Sequence, residues 1–320
     1  MRDQSKAFLA YARGVRRHVR GQQYDLVFAT SSRLMTAVLG ATIARRIKAP
    51  LYLDIRDIFV DTIQDILPYR LGKPIGAMFS YMERYAIGSA SKVNLVSHGF
   101  ASYFSQRYPA QRFVFYPNGI DDEFIPSDSN SEAGHAAAPA SACSVLYAGN
   151  LGEGQGLHVI LPGLAAAMAG RAEFVIIGDG GRKKQLIEAL DVAGVDNVKL
   201  LDPVNRDALV QAYQRADVLF LHLNDHAAFR KVLPSKLFEY AAVGKPVWAG
   251  VAGYAAEFIS SEIENSAVFS PCNVASAVKA FSSLKLQSTP RSDFIQKYAR
   301  RNIMQSLADD ILATAEMVRK

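Results

Sequence analysis

The sequence predicts an α/β protein with two domains, and three observations support this. Its 320 residues suit two domains of ordinary size, and half of them are hydrophobic. In both halves, short apolar runs alternate with helical patterns, which is typical of parallel sheets covered by helices. Residues 126–143 are small, polar and rich in Ser, Ala and Pro, as expected of an interdomain linker. We therefore predict domains over residues 1–125 and 144–290, followed by C-terminal helices over residues 291–320.

The first half begins with an amphipathic helix over residues 1–20. Its apolar face comprises Phe8, Ala12, Val15 and Val19, and the opposite face comprises Arg13, Arg16, Arg17 and Arg20. Two interpretations are open for this helix. Either it docks on the core and leaves a solvated basic face, or its basic face is attracted to anionic lipid headgroups.

The predicted strands are short and apolar. In the first half they cover residues 25–29, 49–55, 92–96 and 113–116, with helices over residues 33–47, 74–90 and 98–107. In the second half they lie near residues 144–148, 173–177, 197–201, 217–222 and 246–250, and the chain ends in one or two helices over residues 291–319. A doubly wound domain normally starts with a strand. The first half starts with a helix and has few strands, so we expect its domain to be shortened.

The net charge of +6 favours an anionic partner, such as a membrane surface, a phosphorylated substrate or nucleic acid. No apolar stretch is long enough to span a bilayer and no signal peptide is recognisable, so a cytoplasmic location is expected. Cys143 and Cys272 lie far apart without ligand-like neighbours, which predicts free thiols. His222 and His226 are four residues apart but flank a strand end, which disfavours a metal site.

Three loops at predicted strand ends carry the functional signal. The first has the sequence GNLGEGQGL, from Gly149 to Leu157, between a strand and a helix. The others are Gly178-Asp179-Gly180 and the run SKLFEYAAVGKP, from Ser235 to Pro246. A strand that turns on glycines into a helix exposes N–H groups at the positive end of the helix, where phosphate can bind. Because ligands of such sheets bind at the carboxyl ends of the strands, the loops predict a nucleotide-diphosphate site.

These loops resemble those of the retaining GT-B-fold glycosyltransferases of family four, especially bacterial transferases that build O-antigen, capsule and other surface polysaccharides on lipid carriers. The resemblance extends to the Arg56-Asp57 turn, the segment Val96–Phe100 and the turn Pro117–Asp121. It implies two Rossmann-like domains facing across a cleft. The first would bind the acceptor, the second would bind the nucleotide sugar, and the final helix would cross back to the first. Family members open with a strand and a glycine-rich loop upstream of this chain's start, so the acceptor domain is expected to be incomplete.

The implied activity is transfer of a hexose or N-acetylhexosamine from a nucleotide diphosphate sugar, with UDP the expected nucleotide, to a lipid-linked saccharide. The nucleotide sugar is a co-substrate, and the resemblance implies no cofactor and no metal. Peripheral contact with the anionic inner face of the cytoplasmic membrane is a further expectation. Nucleic acid is not an expected partner, because the basic residues lack interleaved aromatic residues or a known reading motif.

The resemblance assigns roles residue by residue. Glu239 matches the glutamate that accepts hydrogen bonds from the ribose hydroxyls, and a carboxylate can accept two of them at once. Lys236, with the N–H groups of its helix, would stabilise the phosphate charge as the sugar leaves. The expected donor-binding residues are Gly149, Asn150, Gly152, Gln155, Gly156, Gly178, Asp179, Gly180, Val204, Asn205, Arg230, Ser235, Lys236, Leu237 and Glu239. The expected catalytic residues are Asp57, Lys231 and Lys236.

The chain departs from the family pattern in the charges around the phosphates. Lys231 stands where the family commonly has a glutamate, eight residues before Glu239. Asn150 and Gln155 stand where the first loop usually carries Arg and Lys. We hypothesise that Arg230 or Lys231 supplies the missing positive charge.

Two residues of the first half have competing interpretations. Asp57 is a candidate for accepting the acceptor hydroxyl proton, with a helix cap or a salt bridge to Arg56 as the alternative. His98 precedes Gly99 at a strand–helix junction, where a structural role is favoured over catalysis.

Two alternative functions remain open at this point. The departures and the expected incomplete start also suit a non-catalytic or split-enzyme subunit that binds a nucleotide sugar. A nucleotide-sugar epimerase of the same fold is the second alternative, although the SKLFEY run argues against it.

Overall fold

The computed structural model of the chain describes residues 2–31, 33–58, 69–125 and 142–319. The chain divides into two compact units. The first comprises residues 1–117 and 304–320, and the second comprises residues 118–303. The predicted linker lies almost wholly outside the described residues, and its last residue, Cys143, begins a strand.

The first unit contains a four-stranded parallel sheet in the order β1-β2-β3-β4. Its strands are β1 (Val27–Ser31), β2 (Leu51–Ile55), β3 (Lys92–Leu95) and β4 (Phe113–Val114). Its helices are α1 (Arg2–His18), α2 (Leu34–Ile47), α3 (Tyr69–Gly88) and α4 (Ala101–Arg107), with a 3₁₀ turn at His98–Phe100 before α4. The strands of this unit therefore follow the predicted order, with boundaries displaced by at most two residues.

The second unit contains a six-stranded parallel sheet in the order β10-β9-β8-β5-β6-β7. Its strands are β5 (Cys143–Ala148), β6 (Ala172–Ile177), β7 (Val198–Leu201), β8 (Val218–His222), β9 (Val247–Gly250) and β10 (Ser266–Phe269). The helices between them are α5 (Leu157–Ala167), α6 (Lys183–Ala193), α7 (Arg206–Arg215), α8 (Lys236–Ala242), α9 (Tyr254–Glu262) and α10 (Val274–Phe281). The chain ends in α11 (Ser292–Tyr298) and α12 (Arg300–Arg319). Two parallel sheets in one α/β chain confirm the predicted fold class.

Strand β10 was not predicted, because its sequence Ser-Ala-Val-Phe is only four residues long. It pairs with β9 along four residues and forms one edge of the second sheet. The prediction of five strands in the second half was therefore wrong by one.

The core of the second unit is centred on Trp248, the single tryptophan of the chain, which is fully buried. Its ring contacts Phe174, Phe220 and Phe269 at centroid distances of 5.2–6.3 Å. Its indole N–H donates to Ala277 O at 3.1 Å, so burial leaves no unpaired donor. The central strands β8 and β9 are buried on both faces, as expected of a parallel sheet covered by helices.

Helix α1 docks on the first unit. Ala12 is buried in a cluster with Leu39 and Ile43 of α2, and the apolar face predicted for α1 packs against it. The four residues of the predicted basic face are all exposed: Arg13, Arg16, Arg17 and Arg20. The core-docked interpretation is thus confirmed. Among the described helices, none is long and apolar enough to cross a membrane.

The C-terminal part of α12 belongs to the first unit. Asp310 accepts a hydrogen bond from Tyr52 Oη at 2.7 Å and pairs with Lys92 Nζ at 2.6 Å. Residues 118–125, which the sequence analysis placed in the first domain, belong instead to the second unit. The backbone explains this difference, because Ile120 N–H donates to Tyr298 O at 2.8 Å and Ile120 O accepts from Arg300 N–H at 2.9 Å.

Candidate functional site

The first glycine loop leaves the end of β5 and is fixed by the strand next to it. Gly149 N–H donates to Ile177 O at 2.8 Å, which continues the pairing of β5 and β6 for one residue. Tyr147 Oη then donates to Asn150 O at 2.7 Å. The loop ends at Gly156, whose left-handed conformation begins α5. The local fold is therefore the predicted strand, glycine turn and helix.

The first two glycine loops interlock. Leu151 N–H donates to Asp179 O, and Arg182 N–H donates to Leu151 O, both at 2.8 Å. A Cβ on Gly178 would overlap the carbonyl oxygen of Gly149. Glycine is required there because the two backbones approach closely. The structure thus brings together two of the loops that the sequence predicted to form one site.

The end of β8 holds the first loop from the opposite side. Asn224 N–H donates to Gly154 O at 2.8 Å, and Asn224 Nδ2 donates to Glu153 O at 3.1 Å. His222 Nδ1 lies 2.7 Å from Gln155 O. Three consecutive carbonyl groups are therefore bound by two residues of one neighbouring strand end, which fixes the backbone path of the loop.

His222 is a structural histidine. Its side chain is fully buried between Phe220 and Phe269, and burial lowers its pKa to about 4. Its Nε2 accepts a hydrogen bond from Cys272 N–H at 3.0 Å, so the neutral ring carries its proton on Nδ1 and donates it to Gln155 O. Both ring nitrogens face backbone groups and neither is available to a metal. Nowhere in the described ranges do three or more His, Cys, Asp or Glu side chains form a group that could hold a metal ion.

A neutral amide pair occupies the two positions where the family usually has cations. Asn150 Nδ2 donates to Gln155 Oε1 at 2.9 Å across the loop. The charged side chain of this loop is Glu153, which pairs with Arg182 at 2.6 Å. The loop therefore offers backbone and amide groups to a ligand, and positive charge must come from another element.

Lys236, in the first turn of α8, supplies such a charge. An added Cβ on Gly149 would lie 2.5 Å from Lys236 Nζ, so the ammonium group lies directly against the backbone of the first loop. Burial lowers the pKa of Lys236, and the nearby carboxylate of Glu239 opposes this effect. A partly desolvated ammonium group next to a glycine loop is suited to a phosphate ligand.

Glu239 lies three residues further along α8. Tyr213 Oη donates to Glu239 Oε2 at 3.0 Å. Burial raises the pKa of the Glu239 carboxyl, while the Tyr213 hydrogen bond and the charges of Lys236 and Arg206 lower it. The carboxylate thus carries one fixed hydrogen bond and has further acceptor capacity for a ligand.

The start of α7 places a charged network near Glu239. Asn205 caps this helix by accepting from Ala208 N–H at 2.9 Å, so its side chain has a structural role. The next residue, Arg206, pairs with Asp121, and Asp121 also pairs with Arg300 at 2.7 Å. Val204, which precedes the cap, is 42% exposed and could meet a ligand.

The remaining predicted donor residues differ in their accessibility. Arg230 is exposed in the 3₁₀ turn Ala227–Lys231 and pairs with Asp225 at 3.3 Å. Ser235 is exposed at the start of α8 and makes no side-chain capping bond there. Leu237 is fully buried, so its backbone alone could face a nucleotide.

In the first unit, Asp54 is a buried carboxylate with a complete set of partners. Oδ2 accepts from Thr30 Oγ1 and from Arg56 Nε, both at 2.9 Å, and Oδ1 accepts from Asn94 Nδ2 at 2.8 Å. Arg56 therefore forms its salt bridge with Asp54. Asp57 accepts from Ile58 N–H at 2.8 Å, and burial raises the pKa of its carboxyl group. Of these two carboxylates, Asp57 is the one suited to exchange a proton.

His98 has a structural environment in the first unit. Its ring stacks on Phe115 with a centroid distance of 3.8 Å, and burial lowers its pKa. It lies in the 3₁₀ turn whose preceding residue, Ser97, accepts a hydrogen bond from Gly99 N–H. This environment agrees with the structural role favoured from the sequence.

Comparison with protein-family models places the chain in a family. The model described as "Glycosyl transferases group 1" matches residues 137–301, which is more than half of the chain. The chain belongs to the group 1 glycosyl transferases. A second model, "Glycosyl transferase 4-like domain", matches residues 2–119. The family predicted from the loops is therefore confirmed.

This group 1 glycosyl transferase is also similar to individual proteins. It is 25% identical over 199 residues to WcaI of Escherichia coli K12, whose name assigns it to glycosyl transfer in colanic acid biosynthesis. That match covers 60% of this chain and 49% of WcaI, so it spans about half of the relative's length.

Solved structures share the fold. The structure of HepE from Anabaena in complex with UDP-glucose has a TM-score of 0.69 and 19% identity, covering 94% of this chain and 82% of HepE. The structure of the lipopolysaccharide outer core galactosyltransferase WaaB has a TM-score of 0.62 and 13% identity, covering 97% of this chain and 79% of WaaB. At these identities the likeness concerns the fold, and it confirms the GT-B assignment.

Several residues of the group 1 glycosyl transferase site were missed by sequence reasoning. His222 is the last residue of an apolar strand and Asn224 follows it, and polar side chains there are a recognisable signal of a strand-end site. Tyr213 lies within α7, and Arg206 at the start of this helix directly follows the predicted residue Asn205. Their contacts to Glu239 and Asp121 join residues distant in sequence, so a single sequence offers no signal for them.

Proposed function

We propose that this protein is a retaining glycosyltransferase that transfers a hexose or N-acetylhexosamine from a UDP-linked sugar to a lipid-linked saccharide in surface polysaccharide synthesis. The single observation that carries the proposal is the placement of Lys236 and Glu239 on one helix. The ammonium group of Lys236 lies against the Gly149 backbone, and the Glu239 carboxylate lies three residues further on. A cation at the glycine loop and a carboxylate nearby suit the diphosphate and the ribose of one nucleotide.

The chain's own residues suggest how the donor reacts. Lys236 and the backbone of the interlocked loops would hold the diphosphate and stabilise the negative charge that develops on it as the sugar leaves. Glu239 would accept hydrogen bonds from the ribose hydroxyls and so fix the nucleotide. The leaving phosphate would assist removal of the acceptor proton, with Asp57 as a further candidate for this step. A carboxyl with a raised pKa is better suited to proton transfer near neutral pH than an ordinary aspartate.

The relatives support the donor and the pathway class. HepE is described in complex with UDP-glucose, and the name of WcaI refers to the synthesis of a bacterial polysaccharide. We propose the nucleotide sugar as a co-substrate and no resident cofactor or metal. Unchanged transfer in the presence of excess EDTA would agree with this, and loss of transfer that Mg²⁺ restores would contradict it.

The location follows from the proposed acceptor. A lipid-linked saccharide is carried by a membrane, and a cytoplasmic enzyme would need to act at the membrane's inner face. The exposed arginines of α1 could attract anionic lipid headgroups while the apolar face of the helix packs on α2. Salt-sensitive sedimentation with vesicles containing phosphatidylglycerol would support peripheral contact, and no binding at low salt would contradict it.

A non-catalytic subunit that binds nucleotide sugars is the second candidate. The neutral Asn150–Gln155 pair and Lys231, in positions of family charges, favour it. The two candidates share the donor site and differ in turnover. Release of UDP in the presence of UDP-sugar and lipid-linked acceptor supports the enzyme, and binding without release supports the subunit.

The deciding experiment is calorimetric titration of UDP into the full chain. We expect binding that Glu239→Ala weakens at least about ten-fold, because hydrogen bonds to a charged group contribute about 1.5–3 kcal/mol. Glu188→Ala is the matched control, since this glutamate is exposed on α6 and pairs with Lys184. Absence of UDP, GDP and dTDP binding to the folded wild-type protein would refute the proposed donor site.

A further inference from the structure

The environment of Glu239 contains a residue without an assigned role. Tyr213 lies on α7, is fully buried and donates its hydroxyl proton to Glu239 Oε2 at 3.0 Å. In the part of the chain that the structure describes, no other side-chain hydrogen bond reaches the Glu239 carboxylate. Burial and the neighbouring carboxylate raise the pKa of the tyrosine strongly, so its hydroxyl keeps its proton and acts as a donor.

The ring of Tyr213 is held in place from two sides. Phe124 stacks on it with a centroid distance of 5.5 Å, and Tyr240 contacts it edge-on at 5.2 Å. The guanidinium group of Arg206, which is paired with Asp121, lies over the ring of Phe124, with 5.1 Å between Cζ and the ring centroid. These contacts hold the ring so that its hydroxyl lies within hydrogen-bond distance of the Glu239 carboxylate.

We propose that Tyr213 is a positioning residue of the donor site, which holds one oxygen of Glu239 so that the carboxylate meets the 2′- and 3′-hydroxyls of a nucleotide ribose. This inference rests on the proposed function and adds a determinant of sugar recognition to it. A carboxylate that rotates freely loses part of the advantage of accepting two vicinal hydroxyls at once. Tyr213 would therefore favour ribonucleotides over 2′-deoxyribonucleotides without contacting either.

The charge state of Glu239 gives a second, independent test of the role of Tyr213. Its carboxyl faces Tyr213 and Arg206 from α7, Lys236 on its own helix, and Asp121 from the segment that precedes Phe124. The Tyr213 hydrogen bond lowers the pKa of Glu239, and loss of that bond therefore raises it. Because the ionised carboxylate accepts the ribose hydroxyls, UDP affinity falls as the pH falls through this pKa. In Tyr213→Phe the fall should begin at a higher pH.

The test measures the dissociation constants of UDP and 2′-deoxy-UDP for the wild type and Tyr213→Phe by calorimetry between pH 5 and 8. The substitution keeps the ring and its contacts with Phe124 and Tyr240 and removes the hydroxyl alone. We expect about ten-fold weaker UDP binding, a smaller loss for 2′-deoxy-UDP, and a pH profile displaced upward. The second ionisation of the nucleotide phosphate occurs at about pH 6. Because the ligand is the same for both proteins, its effect on affinity cancels when their pH profiles are compared.

Two controls separate positioning from a general structural effect. In the Glu239→Ala background, Tyr213→Phe should change UDP affinity less than about two-fold, since the group that it positions is absent. Tyr108→Phe in the first unit removes an equivalent hydroxyl, which donates to Glu83 at 2.8 Å, and should leave UDP binding unchanged. Equal losses for both nucleotides with an unshifted pH profile would overturn the role of Tyr213. Failure of the folded wild-type protein to bind UDP would instead refute the proposed function itself.

Discussion

The ammonium group of Lys236 occupies the place where a side chain on Gly149 would stand, with only 2.5 Å between Nζ and an added Cβ. This contact joins two of the sequence motifs, the glycine loop after β5 and the first turn of α8. It makes the glycine and the lysine interdependent, because the cation can reach the loop only where the backbone carries no side chain. We propose that Lys236 supplies, from outside the loop, the charge that the family commonly places within it.

Substitution of Gly149 tests this dependence. Gly149→Ala should displace Lys236 and weaken UDP binding at least about ten-fold, which is the size expected for loss of one charged contact. Gly170→Ala is the matched control, since this glycine also has a positive φ and an added Cβ there meets nothing within 4 Å. Calorimetry with both variants, after thermal unfolding has shown that each is folded, measures the effect. Equal UDP affinity in Gly149→Ala and wild type would contradict the proposed role of the contact.

The pH dependence of transfer should report on Lys236. Burial lowers the pKa of its ammonium group, so this group loses its charge at a lower pH than an exposed lysine does. Since the charged form stabilises the leaving phosphate, kcat/KM for the donor should fall as the pH rises through that lowered pKa. Lys236→Arg keeps its charge and should remove this alkaline fall even where its overall rate is lower. An identical alkaline limb in wild type and Lys236→Arg would assign the fall to another group.

His222 and His226 should behave differently in spite of their spacing. His222→Ala leaves Gln155 O and Cys272 N–H without partners, which should lower the free energy of unfolding by about 2 kcal/mol or more. It should also weaken UDP binding, because Gln155 belongs to the first loop. His226→Ala is the control, since this side chain is half exposed and lies 3.8 Å from Glu153. Urea unfolding followed by UDP titration measures both effects, and equal stability of the two variants would refute the structural role of His222.

The parts of the fold that could be predicted from sequence are those with a strong local signal. Alternation of apolar strands and helices predicted both parallel sheets, and the glycine turns predicted the loops at Gly149 and Gly178. Strand β10 was missed because it is only four residues long. The assignment of residues 118–125 to the second unit depends on backbone bonds between Ile120 and residues near position 300, which no local pattern encodes.

In the candidate site, likewise, the residues within one sequence motif could be predicted, and those that depend on contacts distant in sequence could not. Lys236 and Glu239 lie within one motif, and the structure places them on one helix as expected. Tyr213 and His222 act through contacts with residues 26 and 67 positions away, and the sequence around each is unremarkable. Leu237 was expected among the donor residues because it lies between Lys236 and Glu239, but helical geometry turns its side chain into the core.

Substitution of Asp54 should affect mainly stability, and substitution of Asp57 should affect mainly the rate of transfer. Asp54→Ala removes the salt bridge to the partly exposed Arg56 and takes a hydrogen-bond acceptor from the buried Asn94, which should cost about 1–3 kcal/mol of unfolding free energy. Asp57→Asn should change stability little and lower the rate of transfer to the acceptor while UDP affinity stays constant. Chemical unfolding and single-turnover transfer compare the two variants. Wild-type transfer by Asp57→Asn would remove this residue from the proposed mechanism.

Lys231 and Arg230 remain the candidates for a second positive charge at the diphosphate, since the first loop carries the neutral Asn150–Gln155 pair. Arg230 is exposed and pairs with Asp225 at 3.3 Å, so part of its charge is already compensated. We expect removal of the charge that contacts the diphosphate, by Lys231→Ala or by Arg230→Ala, to raise the donor KM or lower kcat about ten-fold. Lys184→Ala is the control, because this exposed lysine lies on α6 and pairs with Glu188. Donor kinetics of the three variants decide the matter: wild-type constants for Lys231→Ala and Arg230→Ala together would show that Lys236 alone neutralises the leaving group.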